Sequence, residues 1–170
     1  MPVTIRDVLL APKTVVLPVR LRTKSNPAHR AWDLSLASSI AGDLAVYFRV
    51  NVMLPEDFSV GMRHKPPSSP ANVLIRVNGD HGHHKNPDGY KFSFGAHVHM
   101  PTQGQLDGLV LTANWPEGPP YAAPLPDATI SLRQAWQLLV SATNIQTTQQ
   151  VENMVLRAQH ALGSGQLDFS

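Results

Sequence analysis

Large apolar residues occupy every second position of the stretch Leu44-Ala45-Val46-Tyr47-Phe48-Arg49-Val50-Asn51-Val52. Because successive side chains of a strand point to opposite faces, this pattern predicts a strand with one buried face. A shorter alternating run, Trp32-Asp33-Leu34-Ser35-Leu36, precedes it. The Gly42-Asp43 pair between the two runs is typical of a tight turn, so together they predict a β-hairpin.

The chain on both sides of this hairpin favours further short elements. Thr4 and Asp7 have the spacing of a capping box and Pro12 follows, which predicts a short helix over 4–11. Five further runs favour strands; they cover residues 15–23, 58–62, 73–77, 96–100 and 109–111.

The C-terminal part changes to a helical period. Ser131 is placed to cap one helix and Thr148 to cap another, and Gly163 is a suitable stop for the second. The apolar positions of the first helix recur at a period near 3.6 residues; they are Leu132, Ala135, Trp136, Leu139 and Val140. Those of the second are Val151, Met154, Val155, Ala158 and Leu162.

Strands first and helices last are typical of the α+β class. We expect a twisted antiparallel sheet covered by two C-terminal helices, with a short N-terminal helix. A single domain should span residues 1–170. Its three parts would be a sheet-rich region over 13–112, a proline-rich connection over 113–130 and a helical region over 131–163.

The composition excludes several classes of protein. The chain contains no cysteine, which rules out disulfides, thiolate metal ligands and a cysteine nucleophile. No run approaches the roughly 18 apolar residues of a membrane span, and the first residues lack the features of a signal peptide. We therefore expect a cytoplasmic protein with no membrane partner. A formal net charge of +2 argues against a general nucleic-acid coat.

Five of the eight histidines lie between residues 81 and 99. His97 and His99 are two apart in a predicted strand, so they share a face. If Val98 faces the core, as Val77 does on its own strand, then pairing of the two strands places four polar side chains on the outer face: Arg76, Asn78, His97 and His99. The intervening loop begins and ends at that face, so its polar residues can reach it; they include His81, His83, His84 and Lys85.

Three kinds of chemistry fit this segment. In metal-independent cleavage of RNA at the 2′-hydroxyl, one imidazole acts as base and another as acid while a cation stabilises the phosphorane. The acid–base candidates are His81, His97 and His99, and the substrate-binding candidates are Arg76, Asn78 and Lys85. Alternatively, a zinc ion could take ligands from His83, His97, His99 and Asp80. The third possibility is a binding surface for a partner, and a purely structural, hydrogen-bonded loop is the plainest reading.

Several motifs resemble a family of small bacterial proteins of uncharacterised function. They are an Asp-Phe-Ser-Val-Gly strand at 57–61, an Arg-x-Asn-Gly-x-His-Gly pattern at 76–82, Asn86, the His-x-His of 97–99 and Asn144-Ile145. The likeness covers roughly residues 5–146 and implies that the histidine segment is a family feature, without implying an activity. A looser similarity to toxins of toxin–antitoxin pairs favours ribonuclease-like chemistry.

The leading functional expectation is therefore a ribonuclease-like or other phosphoryl-transfer activity carried by the histidine segment, with RNA or a cognate protein as partner. The alternative is a non-enzymatic binding module, with or without a histidine-based zinc site. The sequence leaves open whether the protein is an enzyme and what its oligomeric state is.

Overall fold

The computed structural model describes the backbone of residues 2–22, 28–80 and 82–164, and the side chains of these residues except 18–22 and 158–164. The helices are α1 (Ile5–Leu10), α2 (Gln103–Leu106), α3 (Leu132–Thr143) and α4 (Gln149–Ser164), with a 3-10 helix over Val110–Thr112. The strands are β1 (Lys13–Arg22), β2 (His29–Ala37), β3 (Asp43–Asn51), β4 (Phe58–Lys65), β5 (Asn72–Asn78), β6 (His84–Lys85), β7 (Lys91–Phe92), β8 (His97–His99), β9 (Ala122–Pro124) and β10 (Ile145–Gln146).

Eight of these strands form one sheet in the order β10-β1-β2-β3-β4-β5-β8-β9. Neighbouring strands are antiparallel, except that β10 pairs in parallel with β1. Strands β6 and β7 form a separate two-stranded hairpin. The expected mixed fold, with a large and mostly antiparallel sheet, is confirmed.

The alternating stretch 44–52 supplies the centre of the core. In the β2–β3 pair Trp32 lies opposite Phe48 and Leu34 opposite Val46, and all four side chains are buried. The Trp32 and Phe48 rings stack with centroids 4.8 Å apart. The tight turn between the strands contains Gly42 at φ +105°, where a side chain would also collide with the backbone of β4. The predicted hairpin is therefore confirmed.

The helices bury their apolar faces in different places. Helix α3 packs on β4 and β5, and its Trp136 lies 5.7 Å from the Phe48 ring. Helix α4 contacts α3, with Val151 and Val155 buried and Met154 partly buried. That α4 also covers the sheet remains a prediction, and the side chains of Ala158 and Leu162 are outside the described part. No helix in the described ranges has both the length and the apolar character that a membrane span requires.

Local structure departs from the sequence-based expectation in two segments. Residues 109–111 do not form a strand: Val110 starts a 3-10 helix, and Leu109 makes only an isolated bridge to Thr4. Within the proline-rich connection, β9 pairs with β8, which the sequence did not predict. This strand lies at the end of the sheet order, where Pro124 is tolerated because an edge strand leaves some amide positions unpaired. The N-terminal helix is confirmed, with Thr4 and Asp7 forming its capping box.

A buried lysine joins the C-terminal ends of α1 and α3. The Lys13 side chain is 0% exposed, and its ammonium group donates hydrogen bonds to the carbonyls of Leu9, Ala11 and Thr143 at 2.9, 2.7 and 2.8 Å. These carbonyls lie at the C-terminal ends of α1 and α3, where helices leave acceptors without partners. Burial lowers the pKa of Lys13 to about 8, so the group is still largely charged at neutral pH.

Replacing Lys13 by methionine should keep the length of the side chain but leave buried carbonyls without donors. Because each unsatisfied buried acceptor costs about 1–3 kcal/mol, we expect the free energy of unfolding to fall by at least about 2 kcal/mol in urea denaturation. Lys65→Met, at the exposed end of β4, is the matched control and should change it by less than about 0.5 kcal/mol. Equal effects of the two substitutions would contradict the capping role.

Candidate functional site

The pairing of β5 with β8 brings four predicted site residues together. Arg76 lies opposite His99, and Asn78 lies opposite His97. Their side chains are in contact: the distance from Arg76 Nη2 to His99 Nε2 is 3.0 Å, and that from Asn78 Nδ2 to His97 Nε2 is 2.9 Å. The four side chains therefore share one face of the sheet, as the alternation predicted.

This face is buried, whereas the sequence suggested a solvent-exposed outer surface. His97 is 0% exposed and His99 is 3% exposed. The side chains that cover His97 and His99 belong to the β6–β7 hairpin, residues 84–92, which we call the cover hairpin. Its Phe92 ring lies 5.1 Å from the His97 ring, and its His84 ring lies 4.7 Å from the His99 ring. Substitution of either strand histidine will therefore disturb packing, which the sequence did not lead us to expect.

Asn86 attaches the cover hairpin to the sheet. Its Nδ2 donates to the carbonyl of Ala122 at 2.9 Å, and its Oδ1 accepts from the amide of the same residue at 2.9 Å. The side-chain amide thus pairs with the first residue of β9 as a strand backbone would. Asn86 is buried, so these two bonds replace water for both partners.

The ring nitrogens of His97 both have hydrogen-bond partners of defined type. Nδ1 lies 3.0 Å from the Gly95 carbonyl, which can only accept, so Nδ1 carries the proton. Nε2 therefore accepts from Asn78 Nδ2. Asn78 is oriented in turn by Ser59, whose hydroxyl donates to Asn78 Oδ1 at 2.7 Å. These contacts hold His97 as a neutral imidazole with its lone pair on Nε2.

His99 is held in the same tautomer by different partners. Its Nδ1 donates to the Pro119 carbonyl at 2.9 Å, and its Nε2 accepts from the Arg76 guanidinium. Burial lowers the pKa of His99 to about 3, and the neighbouring charge of Arg76 acts in the same direction. Because the charged form is disfavoured by both causes, His99 is neutral throughout the physiological range. It cannot serve as an imidazolium acid there.

His84 completes a compact group of three imidazoles, which we call the histidine cluster. Its members are His84, His97 and His99, and each offers a ring nitrogen within 4.8 Å of the other two. His84 Nε2 is buried and has no hydrogen-bond partner among the described residues, although the residue as a whole is only half-buried. His84 Nε2 is therefore the cluster nitrogen that is buried without a hydrogen-bond partner among the described residues.

The remaining predicted site residues lie elsewhere. Adjacent side chains of β6 face opposite ways, so the inward position of His84 leaves Lys85 exposed, and His83, just before the strand, is exposed against the Phe94 ring at 4.9 Å. Asp80 accepts from the Gly95 amide at 2.8 Å and is absent from the cluster. The expected roles of His83 and Asp80 as metal ligands and of Lys85 in phosphate binding therefore lack support in this geometry. His81 lies outside the described residues.

Two rows of polar side chains lead away from the cluster across the sheet. One row passes from His99 through Arg76 and Gly61 to Tyr47; the other passes from His97 through Asn78 and Ser59 to Arg49. A Cβ atom at Gly61 would lie 2.6 Å from the Tyr47 ring, so glycine at this position lets that ring cross β4 and hydrogen-bond with Arg76. Burial raises the pKa of Tyr47 to about 12, which keeps its hydroxyl protonated.

Comparison of the chain with models of protein families, with curated proteins and with solved structures finds no match. A function must therefore be inferred from the chemistry of the histidine cluster and its neighbours.

The low pKa of His99 is directly measurable. In NMR titrations His99 should remain the neutral Nδ1–H tautomer from pH 8 to below pH 5, because its pKa lies at about 3. The unfolded chain takes up this proton near pH 6.5. The stability contributed by neutral His99 is therefore complete above pH 6.5 and is lost as the pH falls toward 3. His99→Gln should flatten that dependence, and a midpoint near 6.5 in the folded protein would contradict the buried arrangement.

Asn86→Ala should loosen the cover hairpin without unfolding the sheet, since it removes both bonds to Ala122. Amide hydrogen exchange in residues 84–92 should accelerate, and the pKa of His99 should rise toward its ordinary value as water enters. Asn153→Ala, at an exposed position on α4, is the control and should alter neither measurement. Unchanged exchange in Asn86→Ala would show that other contacts hold the hairpin.

Proposed function

We propose that the histidine cluster and Arg76 form the active site of a ribonuclease-like phosphoryl-transfer enzyme that needs no metal ion. The observation that carries this proposal is the position of the Arg76 guanidinium. The guanidinium contacts the cluster through His99. Its Nε is buried without a hydrogen-bond partner among the described residues. The ion pairs found among these residues do not include Arg76. A half-buried cation of this kind is complementary to an anionic ligand.

Electrostatics favours a phosphate over a metal ion beside Arg76. At a separation of about 5 Å and an effective dielectric constant of about 20, a guanidinium attracts a phosphate monoanion by roughly 3 kcal/mol and repels a dication by roughly twice as much. The cluster itself consists of three imidazoles and supplies no carboxylate to offset that repulsion.

The three imidazoles suit different parts of the reaction. We assign the general base to His97. Its Nε2 lone pair accepts a hydrogen bond from the neutral amide of Asn78 and not from a cation, and Asn78 must release it before His97 can act. His97 takes the proton of the 2′-hydroxyl as the O2′–P bond forms, while Arg76 stabilises the charge on the phosphorane oxygens. His84, with its uncommitted Nε2, donates a proton to the 5′-oxygen as the O5′–P bond breaks. His99 is a positioning residue that holds Arg76.

His84→Gln tests this assignment with little risk to the fold, because His84 is half-buried and its Nε2 has no partner to lose among the described residues. The rate of cleavage of single-stranded RNA should fall by about 10²–10⁴-fold, the usual contribution of one acid or base. A 2′,3′-cyclic phosphate product would identify attack by the 2′-hydroxyl. His83→Gln, one residue away and exposed, is the matched control and should retain activity.

The assays should use protein without a histidine tag and should include EDTA. Wild-type protein that cleaves no RNA under any condition would refute the enzymatic proposal and leave a binding module, for RNA or for a cognate protein, as the alternative. Equal activity of His84→Gln and wild type would refute the role of His84.

A zinc site is the second candidate, and the compactness of the histidine cluster favours it. In both strand histidines Nδ1 donates to a backbone carbonyl, as is usual for ligands that bind metal through Nε2. Zinc–nitrogen bonds of about 2.0–2.1 Å in a tetrahedral site place the nitrogens about 3.4 Å apart, so the cluster would have to contract from its 4.8 Å limit. Asn78 and Arg76 would also have to release the two Nε2 atoms.

Activity that EDTA abolishes and zinc restores would favour this second candidate over the metal-free reaction. Titration calorimetry with zinc gives an independent measurement. A zinc affinity that is lost in His84→Gln and kept in His83→Gln would place the ion in the histidine cluster.

A further inference from the structure

Two clefts lie side by side on the face of the sheet that carries Arg76. Their volumes are about 240 and 260 Å³. Three residues line both clefts: Arg49 on β3, Ser59 on β4 and Arg76 on β5. The two clefts therefore meet at these residues, and we call the combined surface the Arg49 groove.

The groove and the histidine cluster lie on the same face of the sheet, and Arg76 both lines the groove and contacts the cluster through His99. Arg49, Ser59, Asn78 and His97 lie opposite one another on β3, β4, β5 and β8. Since neighbouring strands are about 4.8 Å apart, this row covers roughly 14 Å. A single phosphate group is too small to contact both Arg49 and His97. A ligand that occupies the whole row must carry at least one more group beyond the scissile phosphate.

Positive charge is concentrated where the clefts meet. Arg63 lines the first cleft but is neutralised by an ion pair with Asp33, and Glu117 lines that cleft alone. Asp57 lines the second cleft alone and accepts a hydrogen bond from Asn51. Each carboxylate therefore lines one cleft only, and none is among the three residues that line both clefts.

Arg49 is available to a ligand at this shared part. It is exposed, and the ion pairs found among the described residues do not include it. Its Nη2 lies 3.3 Å from the His29 ring, which can accept one hydrogen bond and leaves the other donors of the guanidinium free for an anion. The Ser59 hydroxyl proton is donated to Asn78, so Ser59 lines the groove without offering a hydrogen-bond donor to an anion.

We propose that the Arg49 groove is a second phosphate subsite, which binds the phosphodiester next to the scissile one in single-stranded RNA. This inference rests on the proposed function and narrows its substrate class to oligonucleotides over mononucleotides. Arg49 holds the neighbouring phosphate, and Arg76 lies between this subsite and the histidine cluster. The subsite contributes affinity, and the reacting atoms stay at the cluster.

Binding can be measured separately from cleavage with a fluorescent RNA decamer carrying 2′-O-methyl groups, which has no 2′-hydroxyl to react. In anisotropy titrations Arg49→Gln should weaken binding by about tenfold. It should also reduce the slope of log K against log salt by about 0.7, the value for one phosphate contact on a single strand. Arg157→Gln removes the same charge from an exposed position on α4 and should change neither quantity. Arg49→Lys keeps the charge and should restore most of the affinity.

The possible results separate this inference from the proposed enzymatic function. If the wild-type protein does not bind the decamer, or if Arg49→Gln binds it with unchanged affinity and salt slope, the subsite does not exist. If wild-type protein binds in an Arg49-dependent way but cleaves no RNA, the subsite stands and the catalytic proposal fails. If RNA is cleaved and Arg49→Gln leaves KM unchanged, the catalytic proposal stands and the subsite fails. A melting temperature close to that of wild type controls for misfolding of Arg49→Gln.

Discussion

Two hydrogen bonds between the Asn86 side chain and the backbone of Ala122 determine the character of the site. They fix the cover hairpin to β9, and the hairpin buries His97 and His99. In each buried ring Nδ1 donates to a backbone carbonyl, that of Gly95 for His97 and that of Pro119 for His99, and this fixes the tautomers. The chemistry available to the cluster is a consequence of this cover, since burial is the main cause of the low pKa of His99.

The guanidinium of Arg76 would make an anion more favourable than a cation beside the histidine cluster. Burial lowers the pKa of His99, and the charge of Arg76 acts in the same direction. Gly61 is required for the second contact of this guanidinium, because any side chain there would displace Tyr47. A phosphate would satisfy Arg76 and leave the hydrogen bond from Ser59 to Asn78 in place.

The part of the site that is set by alternation could be predicted from the sequence, and the part that is set by tertiary covering could not. Alternation over residues 73–77 and 96–100 was enough to place Arg76 with His99 and Asn78 with His97. The burial of these side chains depends on strands of two or three residues, β6, β7 and β9, which are too short to show a period. The choice of His84 over His83 depends on the hairpin turn near Asn86. The Asn-Pro-Asp-Gly sequence at 86–89 is typical of a turn, but it does not give the direction in which the hairpin packs.

The contact of Lys13 with a residue far away in the sequence also affects how the chain folds. Its contact with the Thr143 carbonyl joins residues 130 positions apart, and the β1–β10 pairing adds an edge strand whose residues lie 132 positions from their partners. During synthesis β1 therefore emerges long before β10 and before Thr143, whose carbonyl accepts a hydrogen bond from Lys13. Until then this edge of the sheet exposes unpaired amides, to which another chain can add a strand. Contacts so distant in sequence slow folding. While they are missing, the nascent protein is exposed to misassembly at this edge.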